Sequence, residues 1–98
     1  MTAIAERVAA GAAFLDEHDP GWDRDVDLAT LDLSDCGNCV FGQLQDGYDD
    51  GLIEFGLSDQ RATELGFAEA GFLNSDCDYP ALTAEWRKII TARREAAS

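Results

Sequence analysis

Two cysteines three residues apart, Cys36 and Cys39, are the side chains of this sequence best suited to chemistry. The Cys-x-x-Cys spacing is that of half a zinc site, and Cys77 and His18 could complete four ligands. Those two are widely separated from the pair, and no second Cys-x-x-Cys is present. A thiol-redox couple is another alternative, although the neighbouring acids would disfavour the thiolate. We favour small buried side chains of a hydrophobic core, where free cysteine is common.

Aspartates alternate along the chain just before the cysteine pair, at Asp23, Asp25 and Asp27. They match the first three ligand positions of a calcium loop, which also requires a turn-forming glycine and a final bidentate glutamate. Leu28 and Ser34 occupy those two positions. The pattern therefore predicts a solvated acidic turn and not a calcium site.

No pattern in the sequence predicts catalysis. Carboxylates are too widely distributed for one pair to stand out as a general acid and base. The one histidine, His18, lies between Glu17 and Asp19 at the predicted end of a helix, where a positive charge is favoured. We expect a protein that is not an enzyme and that needs no cofactor.

The charge of the chain is its strongest global feature. Twenty acidic residues oppose seven basic ones, for a net charge of -13. Such a field repels nucleic acid and anionic membranes, and it attracts basic proteins. The same acids also keep a protein soluble, and the sequence leaves open whether the acidic surface imitates nucleic acid or confers solubility alone.

Two acidic regions, 16–35 and 46–54, form the predicted contact surface for a basic protein. Within the second, Tyr48 is expected to be an exposed apolar anchor inside a charged rim, and Phe55 is expected to be buried. The predicted binding residues are Asp23, Asp25, Asp27, Asp46, Tyr48, Asp49 and Asp50. We expect no direct nucleic-acid binding, no membrane contact, and either a monomer or a homodimer.

Helical periodicity predicts the elements that hold these groups. Residues 3–18 form a first helix, with an apolar stripe at Ile4, Val8, Gly11, Ala12 and Leu15. The glycine on that stripe indicates a close helix crossing, and Trp22 is predicted to anchor the core. Ser34 is the predicted N-cap of a helix that carries both cysteines of the pair and ends at Gly47.

The second half of the chain predicts three further elements and a loop. Short helices are predicted over 48–55, ended by Gly56, and after Ser58, ended by Gly66. Residues 68–78 form a loop, and the final helix is capped by Asp78 with Pro80 in its first turn; its apolar stripe is Leu82, Trp86, Ile89 and Ile90. The fold class is all-α: a single small domain over residues 1–98, with four to five helices and long terminal helices bracketing short central ones.

Several segments resemble small uncharacterised proteins of actinobacteriophages and related actinobacterial genomes. The segments are GAAFLDEHDPGW, VDLATLDLSDCGNCVFGQLQDGY, LGF and YPALTAEWRKIITARR. The similarity extends from about Gly11 to Arg94, and it implies a phage or prophage setting without a particular mechanism.

The predicted location is the cytoplasm, which is that of the host cell for a phage-encoded protein. Glu6 and Arg7 interrupt the apolar run that a signal peptide would need. The function that the sequence predicts is a small acidic noncatalytic module that binds a basic protein. The alternative is a domain stabilised by zinc at the Cys-x-x-Cys pair, or a thiol-redox protein.

Overall fold

The computed structural model describes residues 4–35, 37–45, 47–68 and 79–97. Within these ranges the chain forms α1 (Ile4–His18), α2 (Trp22–Asp25), α3 (Val40–Gln45), α4 (Tyr48–Phe55), α5 (Asp59–Glu64) and α6 (Tyr79–Ala97), and no strand. The all-α prediction, with long terminal helices around short central ones, is confirmed. The described ranges contain six helices where four to five were predicted, and the single-turn helix α2 was not predicted.

Helices α1 and α6 pack against each other, and each contributes three buried apolar residues to one hydrophobic core. The predicted stripe of α1 is confirmed, since Val8, Ala12 and Leu15 are fully buried. On α6 the buried residues are Leu82, Trp86 and Ile90, while Ile4 and Ile89 are partly buried at the edges of the core. The helical spacing of apolar residues thus identified the faces that pack together.

Aromatic rings form a continuous column through this core. Trp22, the predicted anchor, meets Trp86 edge-to-face at 5.7 Å between ring centroids. Trp86 stacks on Phe67 at 5.3 Å, and Phe67 lies 4.2 Å from Phe41. The column links α2, α6, the turn after α5, and α3, so that the short central helices share one packed interior.

Helix α1 approaches the turn after α5 closely enough to require glycine on both sides. A Cβ on Gly11 would lie 2.0 Å from the carbonyl oxygen of Leu65. Gly66 has a φ of +77°, and a Cβ there would lie 2.9 Å from the backbone nitrogen of Val8. The indole N–H of Trp86 donates to the carbonyl of Gly66 at 2.7 Å. The helix crossing predicted at Gly11 is wrong in its partner, because the backbone that lies closest to this glycine belongs to the turn after α5.

The helix predicted to begin after Ser34 is wrong at its start. Residues 33–35 and 37–39 form turns, and α3 begins at Val40. Aspartate carboxylates compete with helix formation by accepting hydrogen bonds from nearby backbone N–H groups, and Asp35 accepts one from Gly37 at 2.9 Å. Gly47 is also corrected, because it is the N-cap of α4 in an extended conformation and not a C-terminal cap of α3.

The later boundary residues behave as predicted. Gly56 ends α4 in a left-handed conformation, and Ser58 caps α5 by accepting a hydrogen bond from the N–H of Arg61 at 3.1 Å. Pro80 lies in the first turn of α6. The predicted cap Asp78 and all but the first residue of the predicted loop over 68–78 lie outside the described residues.

Candidate protein-binding surface

The aspartates of the first acidic region shape the segment between α2 and α3. Three of them accept hydrogen bonds from the N–H group two residues later: Asp27 from Ala29 at 2.9 Å, Asp32 from Ser34 at 3.0 Å, and Asp35 from Gly37 at 2.9 Å. These are Asx turns, in which a short carboxylate replaces a backbone acceptor. The hydrogen bonds from Ser34 hold the pKa of Asp32 below its usual value. The acidic segment that the sequence predicts to be a solvated turn therefore contains three hydrogen-bonded Asx turns.

Gln43 of α3 holds this segment in place. Its side-chain oxygen accepts from the N–H of Asp27, and its amide nitrogen donates to the carbonyl of the same residue at 3.1 Å. The amide nitrogen also lies 3.2 Å from the carbonyl of Asn38 and 3.4 Å from the hydroxyl of Thr30. One side chain thus ties both ends of the loop to α3, with hydrogen bonds that a shorter or apolar residue could not make.

Arginines of α6 hold the same segment from the other side. Arg94 donates to the carbonyl of Asp23 at 2.9 Å and to that of Val26, and Arg87 donates to the carbonyl of Leu31 at 3.4 Å. Asp23 lies in the short helix α2 and Val26 follows it, so that no further helical turn can satisfy their carbonyls, and Leu31 lies in the segment after α2. Arg87 and Arg94 therefore hold backbone carbonyls of their own chain.

Arg93 makes the ion pair that links the two long helices. Its guanidinium is 2.7 and 2.8 Å from the two carboxylate oxygens of Asp16, and it lies 5.5 Å from the centroid of the Trp22 ring. The indole N–H of Trp22 donates to the same carboxylate at 3.1 Å. Chiefly the hydrogen bond from Arg93 lowers the pKa of Asp16.

With these arginines turned to partners within the chain, several exposed carboxylates of the described residues have no ion-pair partner. In the two predicted contact regions they include Asp25, Asp49, Asp50 and Glu54. Asp27 is exposed as well, and its carboxylate accepts the hydrogen bond of the Asx turn. Asp23 is only half-buried, and Asp46 lies outside the described residues. The predicted acidic residues of both regions that the structure describes thus reach the surface.

The two acidic regions are held by α3 through different contacts. Gln43 attaches the first region to α3, and α4, which carries Asp49 and Asp50, packs directly against α3. A Cβ on Gly51 would lie 2.4 Å from the Phe41 side chain, so that α4 sits unusually close to its neighbour. Helix α3 is therefore the frame that positions both regions.

The exposed apolar side chain of the second region is Ile53 and not Tyr48. Tyr48 is half-buried, its ring lies 6.1 Å from that of Phe41, and its hydroxyl donates to Asp59 at 3.4 Å. Burial, with Asp59 nearby, raises the pKa of Tyr48 to about 12. Phe55 is partly buried against the core. Ile53 is 78% exposed, which corrects the predicted anchor.

Comparisons with protein-family models, curated proteins and solved structures found no significant match to the chain. The functional argument therefore rests on the residues and their geometry. The resemblance to actinobacteriophage proteins stays a prediction.

The candidate metal ligands are only partly described. Cys39 is buried, and its sulfur accepts a hydrogen bond from the N–H of Gly42 at 3.2 Å. This confirms the core placement for Cys39, whereas Cys36 and Cys77 lie outside the described residues. His18 ends α1 with its ring 4.2 Å from that of Phe14. No group of three or more His, Cys, Asp or Glu side chains in the described ranges is placed to hold a metal ion. The zinc and redox alternatives stay predictions.

An open groove of about 610 Å³ is lined in part by charged side chains that could contact a small molecule. It lies between α1 and α5, and its polar lining includes Asp16, Glu17 and Arg61. Asp16 is paired with Arg93, and Arg61 is paired with Glu64 at 3.2 Å. General acid catalysis near neutral pH favours a carboxylate with a raised pKa, and the pKa of Asp16 is lowered. The groove gives no positive support to an enzyme.

None of the helices in the described ranges is both long enough and apolar enough to cross a bilayer.

Sequence reasoning missed the residues that organise this surface. No role for Gln43 is predicted from the sequence, although a long amide side chain near an aspartate-rich segment indicates hydrogen bonds to the backbone of that segment. Ile53 could have been found from the spacing within α4, because Tyr48, Leu52 and Phe55 define the inward face and leave Ile53 on the other. The destinations of the arginines had no local signal, because their partners are far away in the sequence.

Proposed function

We propose that this protein is a small acidic noncatalytic module that binds a protein with a basic surface. One observation carries the proposal: Arg87, Arg93 and Arg94 of α6 are turned to partners within the chain, while the exposed carboxylates of Asp25 and Asp49 have no ion-pair partner among the described residues. The chain carries a net charge of -13. The ion pairs of Arg61 and Arg93 in the described ranges leave these two carboxylates unneutralised, and a cationic partner would neutralise them.

The built Asx turns add to this support. A solvated acidic loop would lose conformational freedom when it binds, at a free-energy cost for each ordered residue. Here Gln43 and Arg94 already hold the loop at both ends. A partner therefore meets carboxylates in fixed positions, which reduces the cost of association.

The proposed setting is the cytoplasm of a host cell, with a host protein as the partner. This part of the proposal follows from the resemblance to proteins of actinobacteriophages. A negatively charged surface speeds encounter with a cationic protein and makes the affinity depend on salt. It also disfavours direct binding to nucleic acid, whose phosphates require lysine and arginine.

The test is affinity capture from a host lysate at low and high salt, followed by a binding measurement with the purified captured protein. The double variant Asp25→Lys and Asp49→Lys reverses one exposed carboxylate in each acidic region. Glu6→Lys with Glu95→Lys makes the same change in net charge at exposed positions of α1 and α6, outside both acidic regions. We expect high salt and the first variant to weaken binding much more than the control does. Binding that ignores both salt and the first variant would overturn the proposal.

A further inference from the structure

The outward face of α4 combines an exposed apolar side chain with unpaired carboxylates. Ile53 is 78% exposed, and it is the only large hydrophobic residue of the described ranges that is exposed. Asp49 and Asp50 precede it by four and three residues, so both lie beside it on the helix surface. Glu54 follows it directly, and all three acids are exposed. Ile53 therefore stands beside a rim of three carboxylates.

This face is unfavourable for the isolated helix. Asp50 and Glu54 are four residues apart, where two like charges repel each other. Glu54 also lies in the last turn of the eight-residue helix, where the helix dipole favours a cation. No lysine or arginine of the described ranges relieves either interaction. Cations supplied from outside would remove both penalties.

The inward face of α4 explains why Ile53 cannot turn into the core. Leu52 and Phe55 pack against the core, and Gly51 lies so close to α3 that a Cβ there would be 2.4 Å from the ring of Phe41. Helical geometry then fixes Ile53 on the opposite side. Its exposure follows from the packing of α4 and is not a free choice of rotamer.

We propose that this face, defined as Asp49, Asp50, Ile53 and Glu54, is the docking site for a basic segment of another protein. The segment presents one apolar side chain to Ile53, with lysine or arginine on either side for the carboxylates. Helix α4 is about 12 Å long at the usual rise per residue, which limits the contact to about two helical turns of a partner. The inference deepens the proposed function and rests on it.

A second copy of this chain is the less suitable occupant. A symmetric contact through Ile53 would place the same three carboxylates of each copy against one another, and each copy carries a net charge of -13. Arg93 and Arg94 point to partners within their own chain and do not offset that repulsion. Charge complementarity therefore selects a cationic partner.

The test uses a fluorescein-labelled helical peptide with a central leucine and lysines at about three and four residues to either side. A second peptide has serine in place of the leucine and the same charge. Fluorescence anisotropy with the full chain measures the affinity for both peptides. We expect the leucine peptide to bind about tenfold more tightly to the unchanged protein.

Ile53→Ser isolates the apolar contact. Because Ile53 is exposed, this variant should fold normally, which a thermal unfolding curve checks. We expect it to lose the preference for the leucine peptide, and we expect Ile53→Leu to keep it. A preference that persists in Ile53→Ser would overturn the assignment of Ile53 as the anchor.

Charge variants separate this inference from the proposed function. Asp49→Asn with Glu54→Gln removes two rim charges, and Asp25→Asn with Glu17→Gln removes two exposed charges elsewhere. We expect the first pair to weaken peptide binding more. Equal weakening by both pairs would overturn the α4 site and leave the proposed function standing.

Absence of salt-sensitive binding to the peptide would overturn the α4 site, while lysate capture decides the proposed function separately. A rise in mass with concentration that Ile53→Ser abolishes would assign the face to a second copy and overturn the inference.

Discussion

Arg93 and Asp16 form a two-pronged ion pair, with nitrogen-oxygen distances of 2.7 and 2.8 Å, across 77 residues of sequence. The pair joins the last turns of α1 to the end of α6, and the ring of Trp22 lies against its guanidinium. Bidentate geometry makes it stronger than an ordinary surface contact. Its solvent exposure limits the contribution to stability.

Asp16→Asn should lower the free energy of unfolding by about 1 kcal/mol at neutral pH. The folded-state pKa of Asp16 is lowered from its usual 3.8, so its stabilisation is present above that value and is lost as the pH falls through the folded-state pKa. Urea unfolding at neutral and acidic pH measures the difference, which should shrink in acid. Glu17→Gln, at an exposed neighbour on the same helix, is the control and should change little.

Gln43→Met should loosen the loop between α2 and α3. The replacement keeps the length of the side chain and removes its hydrogen bonds to the backbone of Asp27 and to the carbonyl of Asn38. We expect a loss of about 1–2 kcal/mol in unfolding free energy and faster hydrogen exchange at the N–H of Asp27. Gln60→Met, on the exposed side of α5, is the matched control. An unchanged exchange rate at Asp27 in Gln43→Met would contradict the clamp.

Gly11→Ala should destabilise the protein even though alanine is the better helix former. The new methyl group would lie 2.0 Å from the carbonyl oxygen of Leu65, so α1 must move away from the turn after α5. We expect a loss of about 3 kcal/mol in a chemical unfolding experiment. Gly47→Ala adds a methyl group with its nearest contact at 3.8 Å, in an extended conformation open to any residue. It should cost no more than about 1 kcal/mol.

Tyr48 should ionise late in an alkaline titration followed by ultraviolet absorbance. Its pKa is raised from 10.0 to about 12 by burial and by Asp59. Because the folded state retains a proton that the unfolded chain releases, stability falls as the pH rises from 10.0 towards about 12. Tyr48→Phe should remove the late transition, and Tyr79→Phe should leave it in place. A late transition that survives Tyr48→Phe would show that another phenol is responsible.

The sequence by itself determined the helical class, the two long terminal helices and most of the core. Those features follow from local rules, because apolar stripes at helical spacing mark the buried faces of α1 and α6. The same is true of Ser58 and Gly56 at the ends of the short helices. The break before α3 was missed because the carboxylate of Asp35 captures a backbone N–H, and pattern reasoning gave the apolar spacing precedence.

Only the tertiary structure decided which charges face solvent. Arg93 and Arg94 are separated by about seventy residues from the groups that they contact, and no periodicity in the sequence encodes such a pairing. Likewise, the partial burial of Tyr48 depends on how closely Gly51 lets α4 approach Phe41, although the position of Ile53 on the outward face follows from the spacing within α4. Local spacing sets which residues share a face, whereas the packing of helices against one another sets which face meets water.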